Sequence, residues 1–538
     1  MKKRKILVIC DSPRLVTGLA RVGKEVSLSL SNAGFDVSYL ACNGDNTFTH
    51  DKFPFKVYPY KPNDKYGAKR FATIVEEFLP DFILAIGDID KVGYVGQYAK
   101  KFNVYSVYYC PVEGELFPSG KFLGKMKMDY IKMLNGFDEV VTYSEFGKKQ
   151  INDLIENRVS RSIPHGVDLS IFKPLDTFEA RNNLGIDVAI GDCFIVGAIY
   201  RNCTRKSIDK LFEAFSIFKH KYCSVQDFFG VDDIKDDVDG SITGTVNGKY
   251  LELSKMPCYI TKEGKLIHDE KIILDQDGGS FNINRKNAAM GFIAGTKYFN
   301  IGTTKKAEKI GNLNILYYFR KAYLLFVTDP FDSYGWNFED LSASYDIVDS
   351  IIICPITGGK TGLDDVVLRN IYSSSNVHVM LSKAEGWGLP HLESLASGTR
   401  AMATDYATPA EYGQGVLDLV PIIASEIVPI GVRWVIADVD AVAYRFKQLA
   451  EDPNIFDIYE KGVEFVKDYS WELVNKKWIK LFKTAIPKRF KKKIKSVIVD
   501  KDGDQEPTYL DDLDKGKIDL VRYSNVLAIK KKKGGKNG

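Results

Sequence analysis

"SKAEGWGLPHLESLASG" occupies residues 382–398. Two glutamates, Glu385 and Glu393, stand there with seven residues between them, and the first lies in a glycine-bracketed loop. Just upstream, "VHVML" (377–381) has the short apolar, β-branched character of a buried strand. Just downstream, Pro390 suits the first turn of a helix, where its missing N–H is not needed. The stretch therefore reads as strand, loop and helix, with Glu393 about one turn into the helix. A favourable interaction with the helix dipole accounts for Glu393 alone. It does not account for a carboxylate set against Gly-Trp-Gly. Two acids facing one hydroxyl-rich ligand, a sugar or a ribose, account for both.

The same strand–helix rhythm extends in both directions. "KILVIC" (5–10), "DVSYLAC" (36–42), "DFILAIG" (81–87), "NVYSVYYC" (103–110) and "EVVTYS" (139–144) read as buried parallel strands. Between them, "LARVGKEVSLSLSNAG" (19–34) and "GKKQINDLIEN" (147–157) carry apolar residues at helical spacing. The pattern restarts at "CFIVGAIY" (193–200) and the helical "IDKLFEAFSIFKHKY" (208–222). It resumes with strands at "AYLLFVTD" (322–329), "SIIICP" (350–355), "VHVML", "RAMATD" (400–405) and "VRWVIAD" (432–438). Two successive α/β domains follow, joined near residues 170–190, with ligands expected at the carboxyl ends of their strands and in the cleft between them. Residues 223–315 break the rhythm. Asn-Gly, Glu-Gly and Asp-Gly turns separate β-rich runs there, which predicts a β-rich insertion in the second domain.

The 538 residues exceed what one core usually supports. A 45% hydrophobic and 27% charged composition is that of an ordinary globular chain. No apolar run approaches the roughly eighteen residues of a spanning helix, and the short run after MKKRK reads as a first strand and not as a signal core. Eight cysteines are scattered singly, with no CxxC pair, and the six histidines are dispersed. Metal-ligand spacing is absent, and a reduced, cytoplasmic setting is expected. A net charge of +4 does not by itself imply a nucleic-acid partner. The cations do cluster late, in "PKRFKKKIK" (487–495) and "KKKKGGKNG" (530–538). Such runs read either as a solvated tail or as a contact for a polyanion or membrane surface.

Two further stretches bear on anion binding. "DSPRLVTGLARVG" (11–23) follows the first strand and opens a helix, and Gly18 would let backbone N–H groups approach an anion. "YRNCTRKSIDKLF" (200–212) sets Arg201, Arg205 and Lys206 between a strand and a helix. Arginine forks and a lysine point charge suit a diphosphate, although surface cations ahead of a capping Ser207 would look the same.

Taken with these stretches, "EGWGLPHLESLASG" closely resembles the E-x7-E signature of family 4 glycosyltransferases, usually EGFGLPxLEAMAxG. "SIPHGVDLSIFKP" (162–174), the Arg201–Lys206 pair and "YSWELVNKKW" (469–478) are similar to further segments of that family, in the family's order. The resemblance covers nearly all of the chain outside 223–315 and the last fifty residues or so. It implies a GT-B fold, an α/β architecture of two Rossmann-like domains facing across a cleft. The N-terminal, acceptor-side domain would take residues 1–170 and the donor domain 190–470, with the β-rich insertion at 223–315. A helix at 471–486 would cross back to the first domain, and a Lys-rich tail would fill 487–538. The implied reaction moves a sugar from a nucleoside-diphosphate sugar, with a UDP-sugar favoured, to an acceptor hydroxyl with retention, without metal or cofactor.

Residue by residue, the resemblance assigns Arg201 and Lys206, with Arg205 beside them, to the donor diphosphate. Glu385 would lie against the sugar and Glu393 on the ribose hydroxyls. Backbone amides of Gly386, Trp387 and Gly388, followed by Leu389, would reach sugar and phosphate, and Gly18 would approach from the other domain. "CPITGG" (354–359) stands where the family usually grips the base. A front-face attack, with the leaving phosphate taking the acceptor proton, gives Glu385 a positioning role and not a nucleophilic one.

One departure is informative. Many family members carry a histidine near the acceptor, where this chain reads "YYCPVEGE" (108–115), with Glu113 available. Asp88 in "IGDID" (86–90) is the other acid at a strand end, and His165 in "IPHG" reads as a hinge-loop residue. Three functional readings stay open. "DSPxxxTGxxRV" resembles bacteriophage and archaeal-virus enzymes, which suggests a hydroxymethylated base in viral DNA, with the tail and an insertion beside the cleft assisting. A glycan or lipid-linked saccharide of cell-surface synthesis is the second. An inactive GT-B scaffold, with the insertion as its interaction module, is the third.

Overall fold

In the computed structural model the described residues are 3–44, 53–116, 124–186, 193–222 and 322–488, without 356–362, 430 and 453. Several short backbone strands between 232 and 318 are also described.

The first sheet has seven parallel strands: β1 (Lys5–Asp11), β2 (Asp36–Cys42), β3 (Lys56–Tyr58), β4 (Phe82–Ile86), β5 (Tyr105–Cys110), β6 (Glu139–Thr142) and β7 (Val159–Ser162). Their spatial order is β3-β2-β1-β4-β5-β6-β7. Residues 6–10 of β1 are wholly buried, because helices cover both faces of a parallel sheet. Helix α1 (Gly18–Asn32) starts at Thr17, whose Oγ1 accepts the Ala20 N–H at 3.1 Å and donates to Asp11 at 3.0 Å. Helix α2 (Glu145–Leu154) starts at Ser144, whose Oγ accepts the Gly147 N–H at 3.0 Å. Both are ordinary side-chain N-caps.

The second sheet has six parallel strands. They are β8 (Phe194–Ile199), β9 (Ala322–Thr328), β10 (Ile351–Pro355), β11 (Val377–Met380), β12 (Arg400–Thr404) and β13 (Asp418–Val420), in the order β10-β9-β8-β11-β12-β13. Helices α3 (Ile208–Ile217), α4 (Asp365–Ser374), α5 (Leu389–Ala396) and α6 (Ala407–Tyr412) belong to this half. The expected double α/β architecture is thus present. From β8 the chain builds outward through β9 and β10, then returns to the other side of β8 with β11. The carboxyl ends of β8 and β11 therefore flank the point where strand order reverses, the usual crevice of a doubly wound sheet.

One expectation needs correction. "VRWVIAD" was expected as a strand of the second sheet, but Arg433–Ala437 (β15) pairs antiparallel with Ile422–Ile427 (β14) in a separate two-stranded ribbon. Pro421, directly after β13, has no N–H to continue the ladder, and the chain leaves the sheet there. The expectation of an insertion beside the cleft falls on residues that mostly lie outside those described. The insertion departs after α3 and returns at the start of β9, at the opposite end of the sheet from the strand carboxyl ends. Within it, Ile242–Val246 and Lys249–Leu253 pair antiparallel around Asn247-Gly248. Most of the insertion, the greater part of "CPITGG" and almost all of the Lys-rich tail lie outside the described residues.

Helix α7 (Trp471–Thr484) comes from the end of the second half and packs on the first sheet. Ser470 caps it, and Arg4 binds the carbonyls of Phe482, Lys483 and Ala485 at its far end at 2.7–3.1 Å. Its buried face carries Trp478 and Phe482 against Phe35, Phe82 and Tyr109.

Candidate donor site

The loop after β8 and the loop after β11 meet at the switch point. In the first, Lys206 and Ser207 close a short turn, with Ser207 at φ 50°. In the second, Gly388 holds φ 93°, and a Cβ there would stand 2.6 Å from the His391 ring. Only glycine fits that conformation and that gap. Pro390 follows in the first turn of α5.

Glu385 is the centre of the assembled charges. Lys206 Nζ bonds its Oε2, and Arg205 Nη1 and Ser382 Oγ reach the same oxygen at 3.3 Å. Arg205 also donates to the Ala384 carbonyl at 2.6 Å. Its other nitrogen lies 3.2 Å from Glu113 of the N-terminal half. Burial pushes the Glu385 carboxyl up, but Lys206 and Arg205 outweigh it and bring its pKa down to about 2. Burial and nearby Glu385 raise the Glu113 carboxyl, against the opposing pull of Arg205. Solvent still reaches 39% of the Glu113 side chain. Gly386 faces the same neighbourhood: an added Cβ would lie 3.5–3.7 Å from Val112, Glu113 and Tyr143.

Glu393 is separately engaged. It lies a full turn into α5, so the helix dipole does not account for it. Its Oε1 accepts from Arg21 of α1 and its Oε2 from the Tyr372 hydroxyl at 2.9 Å. Arg21 also donates to Asp365 at the start of α4. Gly18 lies near Leu389, whose Cδ1 would be 3.6 Å from a Cβ at that position. Trp387 sends its side chain into the interdomain core, against Tyr412, Tyr469 and His165.

Sequence reasoning named Arg205, Lys206, Glu385 and Glu113, and the fold brings these four together. Gly18, Gly386, Gly388, Leu389 and Glu393 line the same interdomain seam. Arg201 stands apart: it pairs bidentately with Asp332 at 2.7 and 3.2 Å, lies over the Tyr334 ring, and is 61% exposed. Asp88 pairs with Lys91 at the start of a short helix and is half exposed. Arg21, Asp365 and Tyr372 were not anticipated. The available signal was an arginine three residues after Gly18, on a helix face whose neighbours are buried.

Among the described residues, buried polar atoms without a partner cluster around this loop. They include both ring nitrogens of His165 and His391, Trp387 Nε1 and Tyr143 Oη. Burial lowers His165 to about 3 and His391 to about 4, with Glu385 pulling each slightly back. Both rings are therefore neutral at pH 7 and present one donor and one acceptor. His165 is thus a buried ring at the interdomain seam, against Tyr109 and Tyr143 as well as Trp387.

These shifts predict a stability profile. The two histidines have folded pKa values below the usual 6.5, so below that pH the unfolded chain takes up protons that the folded one does not. Glu385 is depressed from the usual 4.5, so its contribution is present above pH 4.5 and is lost between 4.5 and about 2. Thermal unfolding should show Tm level above pH 7, falling from about pH 6.5 and more steeply below 4.5. A Tm maximum near pH 5 would contradict it.

No family profile and no curated relative matches the sequence. Solved structures do match in fold. Sucrose-phosphate synthase from Thermosynechococcus elongatus is 16% identical, with a TM-score of 0.57 over 90% of this chain and 98% of that one. A glycosyltransferase from Rickettsia africae is 15% identical, with a TM-score of 0.54 over 90% and 98%. HepE from Anabaena, in complex with UDP and glucose, is 12% identical, with a TM-score of 0.54 over 90% and 100%. At such identities the likeness establishes the fold, which is GT-B.

Proposed function

We propose that the chain is a retaining glycosyltransferase that takes a sugar from a nucleoside-diphosphate donor, a UDP-sugar by preference. The observation that carries this is the Lys206–Arg205–Glu385 cluster at the switch point of the second sheet. Arg205 and Lys206 are placed for a diphosphate whose negative charge grows as the sugar leaves, where fixed cations in a water-poor site are most effective. Arg201 joins them by leaving Asp332. Glu385 and the amides of Gly386, Trp387 and Gly388 position the sugar, and Glu393 takes the ribose hydroxyls.

In the step proposed, the bond from the anomeric carbon to the diphosphate oxygen breaks. The acceptor oxygen bonds the same face of that carbon, and its proton passes to the departing phosphate. Glu113 and Asp88 are the acceptor-side carboxylates, and no metal or cofactor takes part. Among the described residues the cysteines form no disulfide, which suits a reducing, cytoplasmic setting. Among those residues no helix is long and apolar enough to cross a membrane.

The acceptor is approached from the rim of the cleft. Glu115, Glu145, Asp405 and Glu411 line a cleft there with Lys149 as its cation. Arg433 and Lys148 pair with Glu115 and Glu145, which leaves the acidic excess at Asp405 and Glu411; it suits the uncharged hydroxyls of a glycan, or of the saccharide end of a lipid-linked acceptor. Hydroxymethylated viral DNA is the other acceptor reading, and it rests on the resemblance of the opening "DSPRLVTGLARV" (11–22) to viral enzymes, with the Lys-rich tail compatible.

The test is to incubate the full chain with a panel of nucleotide sugars, with and without chelator. Nucleoside-diphosphate release and label transfer to glycans, lipid-linked saccharides and hydroxymethylated DNA would be followed, and the anomeric configuration read by NMR. Release with no donor would leave the inactive scaffold. Glu393→Ala should raise the donor KM about 10- to 100-fold, the worth of hydrogen bonds to a charged group, with a smaller change in kcat.

A further inference from the structure

We propose that the N-terminal domain plugs its own donor site, with Arg21 and Glu113 occupying contacts that a nucleoside diphosphate must displace. The proposal rests on the donor reading above and concerns the regulation of that site.

The two side chains imitate opposite ends of the donor. A ribose offers hydroxyl donors to Glu393; Arg21 offers guanidinium N–H donors to that carboxylate and to Asp365. A diphosphate offers anionic oxygens to Arg205; Glu113 offers a carboxylate, 3.2 Å away. Both imitators come from the N-terminal half, and both targets come from the other. The contacts therefore close the cleft in the act of filling it.

Shared occupancy is disfavoured by space. Only 8% of the Glu393 side chain is exposed, and Arg21 and Tyr372 use both of its oxygens. The Phe172 ring lies 5.6 Å beneath the guanidinium and fixes its plane. A ribose can reach Glu393 only if Arg21 withdraws, and α1 carries Arg21 on the opposing domain. Withdrawal is thus an opening motion. Asp365, 29% exposed, can be rehydrated when it loses the pair.

Such a plug lowers apparent donor affinity by the fraction of molecules already open. It also keeps the buried Glu393 carboxylate paired when no donor is present, where an unpaired one would be costly.

The experiment uses the full-length wild type, Arg21→Gln and Asp365→Asn. Donor-free size is read by small-angle scattering, and UDP affinity by calorimetry. Arg21→Gln is expected to widen the donor-free particle and tighten UDP binding about tenfold. Asp365→Asn, which leaves Arg21 and Glu393 intact, should move both in the same direction by less. Weaker UDP binding by a folded Arg21→Gln variant would make Arg21 a nucleotide ligand and overturn the plug. Unchanged size and affinity would overturn it too. If the wild type binds no nucleoside diphosphate, the donor reading fails on that titration alone. The scattering of Arg21→Gln then still decides whether Arg21 holds the cleft shut.

Discussion

Lys206→Met is expected to lower sugar transfer by about 10²- to 10³-fold, the usual loss when one preorganised charge is removed from a developing anion. Lys206 is 9% exposed and rises from the turn after β8 onto Glu385. In the resting site it compensates that carboxylate, and in the proposed reaction it turns to the leaving diphosphate. The loss should fall on kcat more than on KM, because the charge it meets is greatest as the bond breaks. A second consequence follows for Glu385. With only Arg205 and Ser382 left, its pKa should climb from about 2. The onset of acid inactivation should then move to higher pH. Steady-state kinetics across pH 3–8 (roughly, spanning the carboxylate and imidazole ranges) read both effects. A loss below threefold or so, with an unmoved acid limb, would reduce Lys206 to a structural counter-ion.

Trp478→Ala is expected to cost about 3–5 kcal/mol of stability, the range for deleting a buried aromatic side chain. Trp478 is 0% exposed, meets Tyr109 edge-on at 4.8 Å and lies parallel to Phe482 at 6.4 Å. Truncation leaves a void between α7 and the first sheet that the rigid strands cannot close. Because α7 comes from the end of the second half, the loss also loosens the two halves from each other. Activity should therefore fall with stability, even though Trp478 touches no donor-site charge. Chemical denaturation measures the first effect, and transfer assays well below the transition measure the second. Trp478→Phe, which keeps most of the volume, should recover more than half. A shift under about 1 kcal/mol would show that the helix is held mainly by its ends.

The strand runs were readable because a parallel sheet buries both faces and leaves continuous apolar segments such as "KILVIC". The Glu385 loop was readable because a positive-φ glycine and a first-turn proline are local demands. β15 was misplaced for the converse reason. "VRWVIAD" has the same composition as a sheet strand, and only Pro421 and the path after β13 divert it into a ribbon.

The strand–helix rhythm by itself determined two α/β domains, and the resemblance carried by the motifs added the GT-B form. The candidate cations and the candidate carboxylates were legible because each set lies within about one βα unit. Tertiary structure alone decided how those groups are paired. Arg21 and Glu393 are 372 residues apart, and Glu113 meets Arg205 only because two sheets face each other. No local pattern encodes such a pair. Its partners are chosen by desolvation, which makes each buried charge seek the nearest opposite one that the fold presents.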